Sequence, residues 1–305
     1  MHTPVLLAEV VDLLRPRGGQ RFIDATVGLG GHARALLERL APDGRLLGID
    51  CDAEALRLAE ERLRDFRGLF ELVHGSFRDL AEHAARLGAG GADGVLLDLG
   101  VSSYQLESPR GFSFAVEGPL DMRMDPSRGR TARQLIERAS AVELERILRE
   151  YGEERYARRI ARAIVERKRE LRTTRDLASL VERVVPRREQ RLHPATRTFQ
   201  ALRIAANDEL GALQEALTTL PEWLAPGGRV GVISFHSLED RIVKRTFREH
   251  AAAGVVEVVT RKPVRPSAAE VAANYRSRSG RLRVAQRLRE EKGSGTFCRP
   301  RPSRC

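Results

Sequence analysis

The sequence predicts an α/β protein: a doubly wound, mostly parallel sheet into which an all-helical domain is inserted. Three observations predict it. Short apolar runs alternate with helical periodicity from residue 21 to residue 98, as βαβ units do. The first run, "RFID", opens directly into a glycine turn, "ATVGLGGH", which punctuates a strand-to-helix junction. More than a hundred residues then separate the run that ends at Asp98 from the next buried-strand pattern near Gly228. A crossover between parallel strands needs only a dozen or so.

Taken in order, the glycine turn leads into a helix over residues 32–40, and "GRLLGIDCD" gives a second strand that ends at Asp50. Asp50 lies twenty residues beyond Gly30, where an acid is placed to accept hydrogen bonds from the ribose hydroxyls of a nucleoside lying across the strand ends. A helix over 53–66 precedes a third strand, "LFELVHGSF", and "DGVLLDLGVSS" supplies a fourth with Asp98 at its carboxyl end. Such sheets carry their site at the carboxyl ends of the strands. Within the long interval, "YGEERYARRIARAIVERKRE" sets Ala157, Ile160, Ala161, Ile164 and Val165 on one helical stripe with arginines around it. The inserted helical domain is therefore placed at residues 108–206, and the core is expected from 1–107 and 207–288. A helix over 207–224 returns to the sheet, "GGRVGVISF" forms the fifth strand, and a helix over 238–250 follows. "GVVEVVTR" and "RLRVAQRL" come close together and suit an antiparallel pair at the sheet edge. Residues 289–305, rich in Gly, Pro, Ser and Arg, read as a flexible basic tail, and no internal repeat is present.

The chain has 305 residues, 42% of them hydrophobic, a net charge of +11 and an isoelectric point near 10.4, which suits an acidic partner, nucleic acid first. A solvated basic surface is the competing reading. Only 4 of the 53 basic residues are lysine, and arginine favours bidentate contacts to phosphate. Cys51, Cys298 and Cys305 are too far apart to suggest a disulfide framework or a zinc site, so no metal is expected and a reducing compartment fits. The apolar "HTPVLLAEVVDLL" is interrupted by Glu9 and Asp12 and has no basic segment before it, unlike a signal peptide. No uncharged apolar run approaches a membrane span, so a cytoplasmic protein without a membrane partner is expected.

Gly28, Gly30 and Ala33 satisfy the loose pattern G-x-G-x-x-G/A, which a dinucleotide site and a plain strand-to-helix turn also satisfy. A nicotinamide dinucleotide rests its pyrophosphate on the helix terminus and needs a second nucleotide-binding half, which the sequence lacks. S-adenosylmethionine has no phosphate. It needs carboxylates or carbonyls near its ammonium, an acid such as Asp50 for its ribose, and an apolar or aromatic cover for its adenine. Asp24 before the turn and Phe77 after the third strand are suitably placed, although Phe77 reads equally well as a core aromatic.

The stretches "HTPVLLAEVVDLL", "DATVGLGGH", "HGSF", "LLDLGVSSYQL", "RGFSF" with "GPLDMRMD", "YGEERYARRIARAIVERK", "HPATRTFQALRI" and "SFHSLEDRIVKR" together resemble the bacterial methyltransferases that modify N4 of a cytidine in small-subunit (16S) ribosomal RNA. The resemblance is collinear from His2 to about Leu288. It implies a Rossmann-like methyltransferase core with an inserted helical domain, and S-adenosylmethionine as donor. The implied donor contacts are Gly30, Gly31, His32, Asp50, Phe77, Asp98 and Gln105. The implied partner is ribosomal RNA near the decoding centre, in an assembled or nearly assembled small subunit, and the resemblance allows a homodimer. Two departures stand out: Glu107 replaces a common aspartate, and the segment 262–281 is shorter than in many relatives.

The N4 lone pair of cytosine is delocalised into the ring, so acceptors that hold its N–H groups would aim that lone pair at the methyl. Asp98 and the carbonyls of "DLGV" are the candidate catalytic groups, with Ser102, Ser103, His236 and Arg197 as candidate substrate residues. Each has a plainer alternative: a turn cap for Asp98, a structural histidine, a surface arginine. Carbon-5 methylation would need a thiolate, and neither the fourth nor the fifth strand end carries a cysteine. Enzymes that methylate DNA amines carry two prolines where "DLGV" has none. The remaining alternatives are a methyltransferase acting on another nucleic acid and a ribosome-assembly factor that binds the donor without turnover.

Overall fold

Apolar runs that hide both faces become the inner parallel strands of one sheet, as their near-continuous hydrophobicity requires. A computed structural model describes residues 4–88, 90–186 and 193–289. The strands are β1 Arg21–Asp24, β2 Arg45–Asp50, β3 Phe70–His74, β4 Ala92–Asp98, β5 Leu224–Ser234, β6 Val256–Val258 and β7 Arg281–Arg287. They lie in the order β3-β2-β1-β4-β5-β7-β6. β1 to β5 pair in parallel, while β7 runs antiparallel between β5 and β6. The chain first winds outward from β1 to β3 and then restarts on the other side with β4, so the switch point falls between β1 and β4. This is the doubly wound, mostly parallel sheet expected from the order of elements, and it matches the Rossmann-like methyltransferase core that the resemblance implies.

Helices cover both faces. On one side α1 (Leu7–Leu14), α2 (Gly31–Leu40) and α3 (Ala53–Leu63) bury Val10, Leu36, Leu37 and Leu63 with Phe22 of β1. On the other, α4 (Leu80–Ala85) packs with Leu213, Trp223 and Phe247, which belong to helices described below, around Ile23 and Val95. Alternate residues of one strand thus feed opposite cores.

After β4 and the short α5 (Ser103–Glu107), the chain leaves the sheet for α6 (Ala132–Arg138), α7 (Ala141–Gly152), α8 (Ala157–Arg167), α9 (Thr174–Val184) and α10 (Thr196–Asn207). These helices share a separate core drawn from residues between Leu120 and Leu202. Capping boxes at Thr131–Gln134, Ser140–Glu143 and Thr173–Asp176 start α6, α7 and α9. The stripe read on α8 is buried at Ala157, Ile160, Ala161 and Ile164, while Val165 is only partly covered.

Two expected elements differ in the structure. The single helix over 207–224 is α11 (Glu209–Thr218) and α12 (Leu220–Trp223), divided at Thr219 with Pro221 in the first turn of α12, while Asp208, at φ 49, breaks α10 from α11. The Arg203 guanidinium forks onto Glu209 across the break at 2.9 and 2.8 Å. "GVVEVVTR" is a strand only over Val256–Val258, because Val259 and Thr260 both donate to the carbonyl of Val284, two residues facing one, which ends the ladder. α13 (Ser237–Ala252) and α14 (Ala268–Ala273) complete the helices. Beyond Arg289, the tail with Cys298 and Cys305 lies outside the described residues. Among the described residues, no helix is long and apolar enough to cross a membrane.

Gly94 sits in mid-β4, where a Cβ would overlap the ring of Phe22. Gly94→Ala is expected to cost about 1–3 kcal/mol by overpacking the strand that carries Asp98, read as a lower urea midpoint with an unchanged slope.

Candidate active site

Strand register brings three acids to one edge. Asp24, Asp50 and Asp98 are the last residues of β1, β2 and β4, and the ladders align these carboxyl ends. Asp24 is 1% exposed; its Oδ1 accepts from Thr26 N–H at 3.3 Å, and its Oδ2 is buried without a hydrogen-bond partner. Asp50 accepts from Gly28 N–H at 2.8 Å and from Asp52 N–H at 2.9 Å, one bond per oxygen. Each of its oxygens keeps a second acceptor site. Asp98 donates its backbone N–H to Thr26 Oγ1 at 2.6 Å, and its Oδ2 lies 3.5 Å from His32 Nε2. Its Oδ1 is buried without a partner, as are both ring nitrogens of His32.

A buried polar atom left unpaired costs about 1–3 kcal/mol, so four of them gathered at Asp24, His32 and Asp98 describe a floor built to meet something else. The electrostatics agree. Burial pushes Asp24 up to about 7, opposed by His32 and the Thr26 hydrogen bond and reinforced by Asp98 and Asp50. Burial likewise pushes Asp50 up to about 6, against the hydrogen bonds from Asp52 and Gly28. A cation arriving from outside would restore the charged forms.

The glycine turn supports this floor. Gly30, at φ 76, takes a conformation that suits glycine, and a Cβ there would press on Ala59 and Leu63 at 3.4 Å. Gly31 opens α2 beneath Pro4, which a Cβ would strike at 2.5 Å. Phe77 begins a 3-10 turn, Phe77–Asp79, capped by Ser76, and rests half-buried against the sheet core. Ser102 caps α5 and accepts from Gln105 N–H at 3.1 Å; the Gln105 Oε1 accepts from Ser102 N–H at 3.1 Å. Gln105 Nε2 donates to Asp52 Oδ2 at 3.0 Å, and Ser103 follows as the first residue of α5.

Of the other two candidates, His236 is the N-cap of α13. Its Nδ1 accepts from Glu239 N–H at 3.4 Å and its Nε2 lies 3.1 Å from Glu239 Oε1. Arg197 donates to the carbonyl of Glu153 at 3.0 Å, at the end of α7. The structure thus gives both residues a local structural task.

Sequence reasoning missed Asp52 and Arg110. Asp52, 1% exposed, caps α3 and forms an ion pair with Arg110, which also donates to the carbonyls of Arg123 and Met124 at 2.8 Å each. Asn207 holds the same segment, donating to Met122 O at 2.7 Å and accepting from Met124 N–H at 2.8 Å. The stretches "RGFSF" and "GPLDMRMD" are therefore strapped to the end of β2. The N-cap pattern at Asp52 could have been read in advance, but Arg110, which opens "RGFSF", lies 58 residues away, and nothing in the sequence pairs the two.

A family model described as the MraW methylase family matches residues 1–288. The chain belongs to the MraW methylase family. Similar proteins include Ribosomal RNA small subunit methyltransferase H of Symbiobacterium thermophilum, 50% identical across 94% of this chain and 96% of that protein. The protein of the same name from Thermomicrobium roseum is 50% identical across 94% of both chains. A crystal structure of an rRNA methylase from Streptococcus thermophilus, 12% identical and covering 93% of each chain, has a TM-score of 0.42, too remote to carry an argument.

This methylase uses S-adenosylmethionine, and its strand ends fit that molecule: partnerless acidic oxygens for a cationic group, and an acid with free acceptor sites for a ribose. Cys51 is no nucleophile, because burial and the neighbouring Asp50 and Asp52 push its thiol well above the ordinary range.

Arg110→Ala would leave Asp52 as a buried, underpaired charge and is expected to cost about 3–5 kcal/mol in urea unfolding. A pH dependence follows from the raised acids. Both release their protons at lower pH in the unfolded chain, from the ordinary 3.8, so their contribution to stability is full below about 4 and is lost as pH rises through about 6 and 7. A bound cation prefers the ionised acids. The donor dissociation constant is therefore expected to fall from about pH 5 to about pH 8, and titration calorimetry should show proton release that Asp24→Asn diminishes.

Proposed function

We propose that this methylase transfers a methyl group from S-adenosylmethionine to N4 of a cytidine in small-subunit ribosomal RNA, near the decoding centre. The observation that carries the reading is the end of β4, where Asp98 offers a buried, partnerless Oδ1 beside His32 and next to the acid of β1. Relatives at 50% identity named for small-subunit ribosomal RNA support the substrate class.

Bound over this floor, S-adenosylmethionine supplies an electrophilic methyl on a sulfonium. Asp50 uses its free acceptor sites for the ribose hydroxyls, Phe77 covers the adenine, and the turn Gly30, Gly31 and His32 borders the donor. Asp24 and Asp98 face the cationic methionine end, and Gln105 closes that side by holding Asp52. Asp98 accepts from an N4–H of the cytidine, which draws the nitrogen lone pair out of conjugation and toward the methyl. Ser103 borders the base, whereas Ser102 and His236 fix the turns on either side and Arg197 fixes the end of α7.

The base must leave its stack to reach this edge. Its surroundings rest on the helical insertion, residues 108–206, where Arg158, Arg159 and Arg162 line an open groove of about 660 Å³ with Glu166 and Val184. Phosphate contacts there would position the RNA without reading its sequence. A folded subunit, in the cytoplasm, presents the target better than naked RNA because so broad a basic surface needs structured backbone on several sides.

The test is transfer of labelled methyl to unmodified small subunits, to free ribosomal RNA and to cytosine-containing DNA, followed by nucleoside analysis. N4-methylcytidine is expected with the ribosomal substrates alone, and Asp98→Ala should lower kcat by about 100-fold or more. A protein that binds the donor but labels nothing would instead be an assembly factor, and the role given to Asp98 would fall.

A further inference from the structure

The antiparallel strand at the sheet edge brings a second element to the active-site rim. Register pairs Ser234 with Arg281 and Ile233 with both Leu282 and Asp98, so β7 begins where β4 and β5 end. Val264 and Leu282 exchange backbone hydrogen bonds at 2.9 Å in both directions, which closes an excursion over residues 265–280 beyond the carboxyl edge. Three contacts hold this excursion against the site. Leu6 N–H donates to Glu270 Oε1 at 2.8 Å, and Leu6 lies two residues past the Pro4 that covers Gly31. Arg276 Nη1 donates to Glu107 Oε1 at 3.0 Å, at the end of α5, the helix that follows Asp98. Gly280 packs on Val5, whose Cγ1 would stand 3.0 Å from a Cβ there.

On this anchored rim, the 3-10 turn Tyr275–Ser279 presents Tyr275 with 66% of its surface exposed. It is the one ring among the large exposed apolar side chains of the described residues. Arg278 stacks over it with its guanidinium carbon 4.1 Å from the ring centroid. Residues 261–281 carry six basic side chains against one acid. An aromatic ring with a guanidinium on one face and a polybasic surround is the chemistry of a single-stranded nucleic-acid platform.

We propose that Tyr275, backed by Arg278, stacks a base of the RNA strand immediately next to the target cytidine, holding the strand open on the β5 side of the site. This rests on the RNA methyltransferase reading above. A flipped base must leave its neighbours partly unstacked, and a platform leading into β7, two strands from the β4 that carries Asp98, replaces the stacking they lose. The surrounding charge fits the phosphates of the same strand.

The experiment compares the wild-type enzyme with Tyr275→Ala and Tyr275→Phe. Donor affinity, KM and kcat are measured on unmodified small subunits, together with quenching of 2-aminopurine placed on either side of the target in a single-stranded RNA. The alanine variant is expected to raise KM by roughly 5- to 150-fold and to lose the quenching, with donor affinity and thermal midpoint unchanged, while phenylalanine preserves both. If alanine keeps the wild-type KM and quenching while both proteins methylate, the platform is refuted and the methyltransferase reading stands. A loss confined to intact subunits, with quenching on RNA unchanged, would mean that Tyr275 meets a ribosomal protein and would equally refute it. If wild type methylates no RNA, the failure belongs to the underlying reading.

Discussion

The buried Asp52 and the partly buried Arg110 form an ion pair at the point where the sheet meets the helical insertion. The other bonds around it add position: Glu54 N–H and Gln105 Nε2 onto the carboxylate, and the guanidinium onto two carbonyls of the 123–124 segment. A pair removed from water gains little net stability over an apolar contact of the same shape, because desolvating both ions cancels much of their attraction. What the pair does supply is geometry. Asp52 sits two residues past Asp50 at the end of β2, so anchoring Arg110 there fixes how the segment leading into the insertion crosses the strand ends. The insertion has a core of its own, and without such a tie its helices could pack well and still stand in the wrong place relative to the strand ends.

The strand ends show the opposite economy. Where Asp52 is fully paired, Asp24, Asp98 and His32 keep buried atoms with no partner, and burial raises Asp24 and Asp50 far above an ordinary carboxylate. The fold tolerates these groups because the surrounding sheet over-determines their positions: β1 and β4 are held in register on both sides, and Asp98 is pinned by Thr26. Buried polar atoms left unsatisfied in this way lower local stability, a pattern of functional sites more than of cores.

Much of this was legible in the sequence because the relevant signals are local. Asp50 could be found by counting from Gly30, Asp98 by following an apolar run to its end, and the insertion by the length of chain between two strands. The joint at Asp208 was read to within a residue or two as the start of the returning helix, whereas the division of that helix at Thr219, just before Pro221, was not. Arg110 opens the "RGFSF" block, but no local pattern names its partner, and its meaning comes from a carboxylate that the fold delivers. Gln105 and His236 show the converse. Their motifs were visible, but each side chain also caps a helix, a task that a motif cannot separate from chemistry.

Sheet order also divides the labour of the site. Asp24 and Asp50 end β1 and β2, and the proposed acceptor of the base's N–H, Asp98, ends β4, across the switch point. On the far side of β4, parallel winding would present only β5 and the turn that follows it. An antiparallel neighbour changes this, because a strand running the other way starts at the carboxyl edge, and the segment leading into it must lie there too. β7 therefore brings residues 265–280 to the acceptor side without any further crossover. A parallel strand in the same position would have carried its leading segment to the opposite edge of the sheet, away from Asp98. The reversal of one strand is thus the structural reason that Tyr275 and Arg278 stand at the carboxyl edge of the sheet, on the same rim as the end of β4.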